Sequence, residues 1–343
     1  MPRVSRRNVF TVVLLGLMLS VASSMAVAQY TMKALVKNSG TGKHVDPQLV
    51  NAWGLAYAPS NPIWIADAGS GFTTIYNAMG VKQGSGITIP PASGTGPGSP
   101  TGMVNYNGST EFKIMTWPSA FMFATLDGTI SGWSHFKPTT ALIAVNNSAS
   151  GAVYTGLAIT NKASGNFIYA ADLANNKVDV YDGTFKLVTS FTDASLPAGF
   201  APFGIQDING QVYVAFADVN GGPGGYIDIF NEDGSFVKTL IQGAPLNQPW
   251  GMAVAPSNFG PLSNTLLVTN NLDKKGIING FDLTTGAFVG TVVNAKGKPI
   301  KIDQLWGIEF GGGSAANGQT NQLFFTAGPK NNVNGVFGVI AFK

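Results

Sequence analysis

The residues best suited to chemistry in this sequence are oxygen donors. Asp67, Thr125, Asp127, Asp172, Asp218, Asn270, Asn271 and Thr326 stand at or just beyond the polar ends of short apolar runs, and His44, Asp46 and Asn51 precede the first of these runs. Asp and Asn oxygens suit a hard cation such as Ca2+, or the hydroxyls of a sugar-like ligand. An Asp in such a place equally accepts backbone N–H groups from an adjoining loop. Recurrence favours that second duty, because a binding site seldom needs one group at every repeat.

Other chemistries are bounded by what is missing. The chain has no Cys, which removes disulfides, thiolate metal sites and thiol nucleophiles. His44 and His135 are its two histidines, and they fall in different repeats. There is no His-Glu-x-x-His motif, no P-loop and no Gly-x-Ser-x-Gly elbow. The Gly-rich string from Asn220 to Gly225 lies between two strand-like runs and reads as a loop rather than a phosphate cradle. Catalytic residues are therefore not assigned, and no metal ligand set is specified.

The 20 basic residues include three arginines, Arg3, Arg6 and Arg7, so beyond them 17 lysines face 17 acidic residues. That balance predicts no nucleic-acid partner. The same arginines open an export signal. An apolar run from Val9 to Ala22 follows, and Ala26-Val27-Ala28 matches a small-x-small cleavage pattern. Either ordinary secretion or the twin-arginine route fits. The run is short for a membrane span, so the expectation is a signal over 1–28, no stable span after cleavage, and a monomer in the periplasm or outside the cell.

The elements that position the oxygen donors follow from internal repetition. NAWGLAYAP, SPTGMVNY, VYTGLAIT, APFGIQDI, QPWGMAVAP and QLWGIEF share a glycine followed by alternating apolar residues. These glycines, Gly54, Gly102, Gly156, Gly204, Gly251 and Gly307, are spaced by 48, 54, 48, 47 and 56 residues. The period is that of a four-stranded blade. A second strand ends in the polar residues above. A third ends in pairs such as Tyr181-Asp182 and Phe281-Asp282, with Gly a few residues later as a hairpin turn demands. The sixth repeat runs out after its third strand, Val336 to Phe342, while Tyr30 to Lys37 is strand-like and precedes the first repeat. The prediction is an all-β, six-bladed β-propeller of four-stranded antiparallel blades over 29–343, with the N-terminal strand closing the last blade. Trp53, Trp250 and Trp306 are expected to wedge between blades, and the shared glycine to relieve crowding where six strands converge.

HVDPQLVNAWGLAYAP, DGTISGW, NNSASGAVYTGLAI, LPAGFAPFGI and LNQPWGMAVAPSNFG, taken together, resemble a family of uncharacterised exported bacterial proteins. That family is similar to the NHL-repeat propellers and, more distantly, to the gluconolactonase and regucalcin propellers. The resemblance implies the fold and export and transfers no catalytic residue. The lactonase class holds its metal with a Glu, Asn residues and an Asp. Here Glu occurs only as Glu111, Glu232 and Glu309, and none falls in the first inner strand, so that pattern is not reproduced. The leading expectation is a binding or scaffold propeller whose protein, peptide or glycan ligand meets Asp67, Asp127, Asp172, Asp218, Asn270, Asn271, His44 and Asp46 at the channel mouth. The alternative is a Ca2+-dependent, lactonase-like hydrolase at that mouth.

Overall fold

A computed structural model of the chain describes residues 29–160, 165–271 and 275–343. The expected signal over 1–28 lies outside the described residues. Six sheets form a closed ring. The inner strands are Ala52–Ala56, Pro100–Asn105, Tyr154–Ile159, Phe200–Ile208, Pro249–Val254 and Leu305–Phe310. Each is followed outward by antiparallel neighbours, as in blade 4, where Gln211–Asp218, Tyr226–Asn231 and Phe236–Gln242 succeed one another. The sixth inner strand packs on the first, so the ring has no gap.

The last blade is completed as predicted. Tyr30–Lys37 pairs antiparallel with Val336–Phe342, from Tyr30 opposite Phe342 to Lys37 opposite Val336, with a bulge between Ala34 and Val36. Tyr30 locks the seam. Its hydroxyl donates to the Phe259 carbonyl at 2.7 Å and accepts from the Leu262 N–H at 3.2 Å. Burial pushes this phenol up to about 12.

The apolar residues of successive strands alternate between the two faces of each blade. Every blade–blade interface consequently carries its own cluster. Trp64, Met103, Phe121 and Trp133 fill the interface of blades 1 and 2. Leu267, Ile308, Phe325 and Ile340 fill that of blades 5 and 6. Each fully buried side chain of this size contributes roughly 1.5–3 kcal/mol, which suits a chain without disulfides.

Blade 2 carries an addition that the repeat pattern did not announce. Between its inner and second strands, Lys113–Ile114 and Trp117–Pro118 form a small hairpin. Phe112 anchors it, wholly buried, with its N–H on the Gly183 carbonyl of blade 3. The hairpin accounts for the longer spacing between the second and third shared glycines.

Candidate functional site

The shared glycines sit where neighbouring inner strands touch. A Cβ on Gly102 would lie 2.3 Å from the Leu157 nitrogen, one on Gly204 1.9 Å from the Trp250 oxygen, and one on Gly307 2.6 Å from the Trp53 oxygen. Any side chain there would force the inner strands apart. Threonine hydroxyls join the same strands. Thr269 accepts from the Gly251 N–H at 2.8 Å and donates to the Trp306 carbonyl at 3.0 Å. Thr326 does the same between Gly307 and Trp53.

On the face where inner strands begin, aromatic residues meet over the axis. Trp53 stacks on Trp306 at 4.1 Å, and Trp250 and Phe203 pack edge-on against the pair. The three tryptophans are 6%, 9% and 6% exposed in the order Trp53, Trp250 and Trp306. Asn51 Oδ1 accepts both the Trp53 and the Trp306 indole N–H, at 2.9 and 3.2 Å, and Trp250 donates to the Thr155 carbonyl. Instead of wedging each between its own pair of blades, the tryptophans form one axial hub.

Around that hub the anticipated polar residues are drawn into loop ties. Asp172 Oδ1 accepts the N–H groups of Val153 and Asn175, and its Oδ2 accepts the Asn175 amide. Asp127 holds the blade 1–2 linker through the Ala92 N–H and takes the Thr125 hydroxyl. Asp218 accepts the Asn220 N–H, and Asn270 accepts the Asn247 N–H at 2.8 Å. Asn271 donates to Gln304 at 3.4 Å. Asp67 is fully buried, and that burial raises its carboxyl well above the usual carboxylate range. His44 lies in a two-residue strand beside the closing strand. Asp46 pairs with Lys82 at 2.7 Å and takes the Tyr76 hydroxyl at 2.6 Å. Burial opposes ionisation of Asp46, but the bonds from Lys82 and Tyr76 outweigh it and hold the carboxyl below its usual value.

The open end of the axis is the opposite face, where inner strands finish. A cavity of about 360 Å3 and a second of about 240 Å3 share Gln206, Asp207 and Glu309. A narrow space of about 40 Å3 continues from them to five of the shared glycines, Gly54, Gly102, Gly156, Gly251 and Gly307. Together they make a funnel whose floor is the glycine ring. Its walls include Tyr57, Asn105, Asn107, Met252 and Phe310, with no Lys or Arg among the lining residues. None of the eight residues anticipated from sequence lines it.

Alternation explains the polar pair at its centre. Two residues beyond the six shared glycines stand Ala56, Val104, Ala158, Gln206, Ala253 and Glu309. Three alanines leave room, while Gln206 and Glu309 break the repeat. The directions are set by the strand. Gly307 packs against Leu55 and Trp53 of blade 1, Ile308 joins the cluster against blade 5, and Glu309 returns to the side of Gly307. Burial pushes the Glu309 carboxyl up to about 7, partly offset by the Phe310 N–H. Tyr57 donates to the Phe310 carbonyl at 2.8 Å, and burial with the nearby Glu309 pushes its phenol up to about 12.

These features define a six-bladed β-propeller with one plugged and one open axial end. The protein shares 31% identity over 337 residues with uncharacterized protein R648 of Acanthamoeba polyphaga mimivirus, covering 92% of this chain and 81% of that protein, and it belongs to the same family. No family model matches the chain. Among solved structures, a streptogramin B lyase superposes with a TM-score of 0.55 at 12% identity, covering 94% of this chain and 100% of the lyase. A gluconolactonase from Xanthomonas campestris superposes with a TM-score of 0.54 at 13% identity, covering 86% and 87%. At such identities the likeness is one of fold.

Proposed function

We propose that this protein is an exported binding propeller that receives a small polar ligand in the funnel at the end of its inner strands. One observation carries the reading: Gln206 and Glu309 depart from a six-fold pattern of small apolar residues, and both depart into the same cavity. A structural duty would recur around the ring, whereas a ligand needs one asymmetric set of groups. The amides of Asn105, Asn107 and Gln206 both donate and accept. Glu309, pushed up to about 7, can do either near neutrality. With no cationic lining, the funnel favours a neutral, hydroxyl-bearing ligand over an anion. The combined cavity falls in the range usual for small-molecule sites.

The test is thermal stability in the presence of monosaccharides, disaccharides and polyols. A ligand at a hundred times its Kd stabilises by about 2.7 kcal/mol. The expected result is a rise in Tm that Gln206→Ala and Glu309→Gln abolish. Rises that survive both substitutions, or none across the set, sink the reading.

A hydrolase reading has one point in its favour, the two carboxyls, Glu309 and Asp207, that line the same cavity. The lyase and the gluconolactonase show that propellers of this size support catalysis. A Ca2+-dependent version has less in its favour: among the described residues no three of His, Asp or Glu come together, and Asp127, Asp172 and Asp218 accept backbone N–H groups, so Asn and carbonyl oxygens would have to supply part of the ligand set. Metal analysis, followed by melting with Ca2+ and with EDTA, separates the two. Bound Ca2+ lost to EDTA with a fall in Tm would favour the hydrolase.

A further inference from the structure

Six asparagines in this chain are followed by glycine, at positions 107, 209, 220, 279, 317 and 334. The pairing matters because glycine has no Cβ to keep its backbone nitrogen away from the preceding side-chain carbonyl. The fold restrains five of the six. Asn279 lies in the strand Ile277–Asp282, 1% exposed, with its amide bonded to Thr291 and to the Pro245 carbonyl. Asn317 is wholly buried and accepts the Ser314 hydroxyl at 2.7 Å, while the Gly318 N–H donates to the Ser314 carbonyl. The N–H groups of Gly221 and Gly335 are taken by the Asp218 carbonyl and by Asn38 Oδ1. Asn209 and Gly210, at φ of 55° and 77°, form a two-residue turn between paired strands.

Asn107 and Gly108 differ. Both are exposed and stand outside any strand, just beyond the inner strand of blade 2. Among the described residues neither the Asn107 carboxamide nor the Gly108 N–H has a hydrogen-bond partner. Packing nevertheless demands glycine at 108, because a Cβ there would run into the Tyr106 ring, 2.6 Å from Cε2. That ring is 4% exposed, packs edge-on against Phe112 at 5.1 Å, and accepts the Glu111 N–H on its hydroxyl at 3.2 Å.

We propose that Asn107 is a self-modifying site, converted in the native protein to aspartate and isoaspartate. The Gly108 nitrogen attacks Asn107 Cγ and closes a succinimide ring. The Cγ–Nδ2 bond breaks, and the amide leaves as ammonia with the proton that Gly108 gives up. Water then opens the ring. Attack at Cγ leaves aspartate, and attack at the Asn107 main-chain carbonyl reroutes the backbone through Cγ as isoaspartate. Asn107 borders the axial cavity with Gln206, Asp207 and Glu309. Either product removes an amide donor from that wall and adds a carboxylate, whose charge makes Glu309 harder to ionise. Ageing would thus alter the cavity proposed above to receive ligand, although the conversion itself does not depend on what binds there.

The experiment is timed incubation of the whole protein at mildly alkaline pH, with peptide mapping by mass spectrometry and an isoaspartate assay. The rate at Asn107 is expected to exceed that at each of the other five by about tenfold or more, since those must first open locally. In denaturant the six rates should converge. Asn107→Gln, whose longer side chain would have to close a larger ring, should abolish the early acidic species. A native Asn107 that persists, or one outpaced by Asn209 or Asn220, overturns the proposal. Carbon-detected titration of Glu309 in Asn107→Asp reads the effect on the cavity, and the midpoint should rise relative to the native protein. An unchanged midpoint overturns the link to the cavity and leaves the modification standing.

Discussion

At the scale of single residues, the axis shows why one position was legible and another was not. The recurring glycine was readable because six copies at blade period have one steric meaning. Gly204→Ala is expected to destabilise by about 1–3 kcal/mol, since its Cβ would meet the Trp250 carbonyl at 1.9 Å. Gly290→Ala, whose Cβ would find only Leu262 at 3.4 Å, should be nearly silent in the same urea titration. Glu309 was harder to place, because its side depends on strand alternation next to a register shift between Leu305 and Ile308. It gives a pH prediction. Below about pH 7 its carboxyl is a donor and above it a carboxylate. Ligand affinity should therefore change across that region in the native protein and stay flat in Glu309→Gln.

At the scale of elements, the third strand of five blades repeats a buried polar residue at its third position, Thr74, Ser131, Asp179, Asp228 and Asn279 in blades 1 to 5, where blade 6 has Gly338. Blades 3 and 5 satisfy it. Asp179 takes the Ser190 and Tyr154 hydroxyls, and Asn279 takes the Thr291 hydroxyl and donates to the Pro245 carbonyl. Blade 4 leaves Asp228 fully buried beside Asp193, and burial first, then Asp193, pushes its carboxyl up to about 7. The folded protein thus holds a proton here that the unfolded chain, at 3.8, has released. The sign follows: this group lowers stability as pH rises from about 4 to about 7, and the loss persists above that. Asp228→Asn, which copies blade 5, should raise Tm at pH 8 and leave it unchanged at pH 4. Equal melting at pH 8 would contradict it. The small hairpin of blade 2 was invisible in the sequence because two-residue strands carry no period, and what holds it is the burial of Phe112 against another blade.

At the scale of the whole molecule, the ring and its closure were the most legible features, since a missing fourth strand at one end and a spare strand at the other admit one simple solution. The hub was not. Trp53, Trp250 and Trp306 are far apart in sequence, and their meeting depends on how three inner strands converge, which no local pattern encodes. The hub fills the face that carries the aspartates and asparagines of the repeat, and the shared cavity of Gln206 and Glu309 lies at the other end. The seam can be tested directly. Tyr30→Phe removes one buried hydroxyl and leaves the Phe259 carbonyl and Leu262 N–H without it. The expected cost is about 1–3 kcal/mol in chemical denaturation, with cooperativity retained because the rest of the strand still pairs.

That seam also orders events in time. Residues 30–37 are synthesised before any blade, yet their partners at 336–342 follow every other strand. Five blades can assemble as the polypeptide emerges, but the circle waits, with a bare sheet edge on show. That edge has no partner within the polypeptide until synthesis has passed Phe342. Covalently joining Lys343 to Gln29, already hydrogen-bonded at 3.0 Å, and recutting the chain in the linker between blades 1 and 2 would abolish the wait.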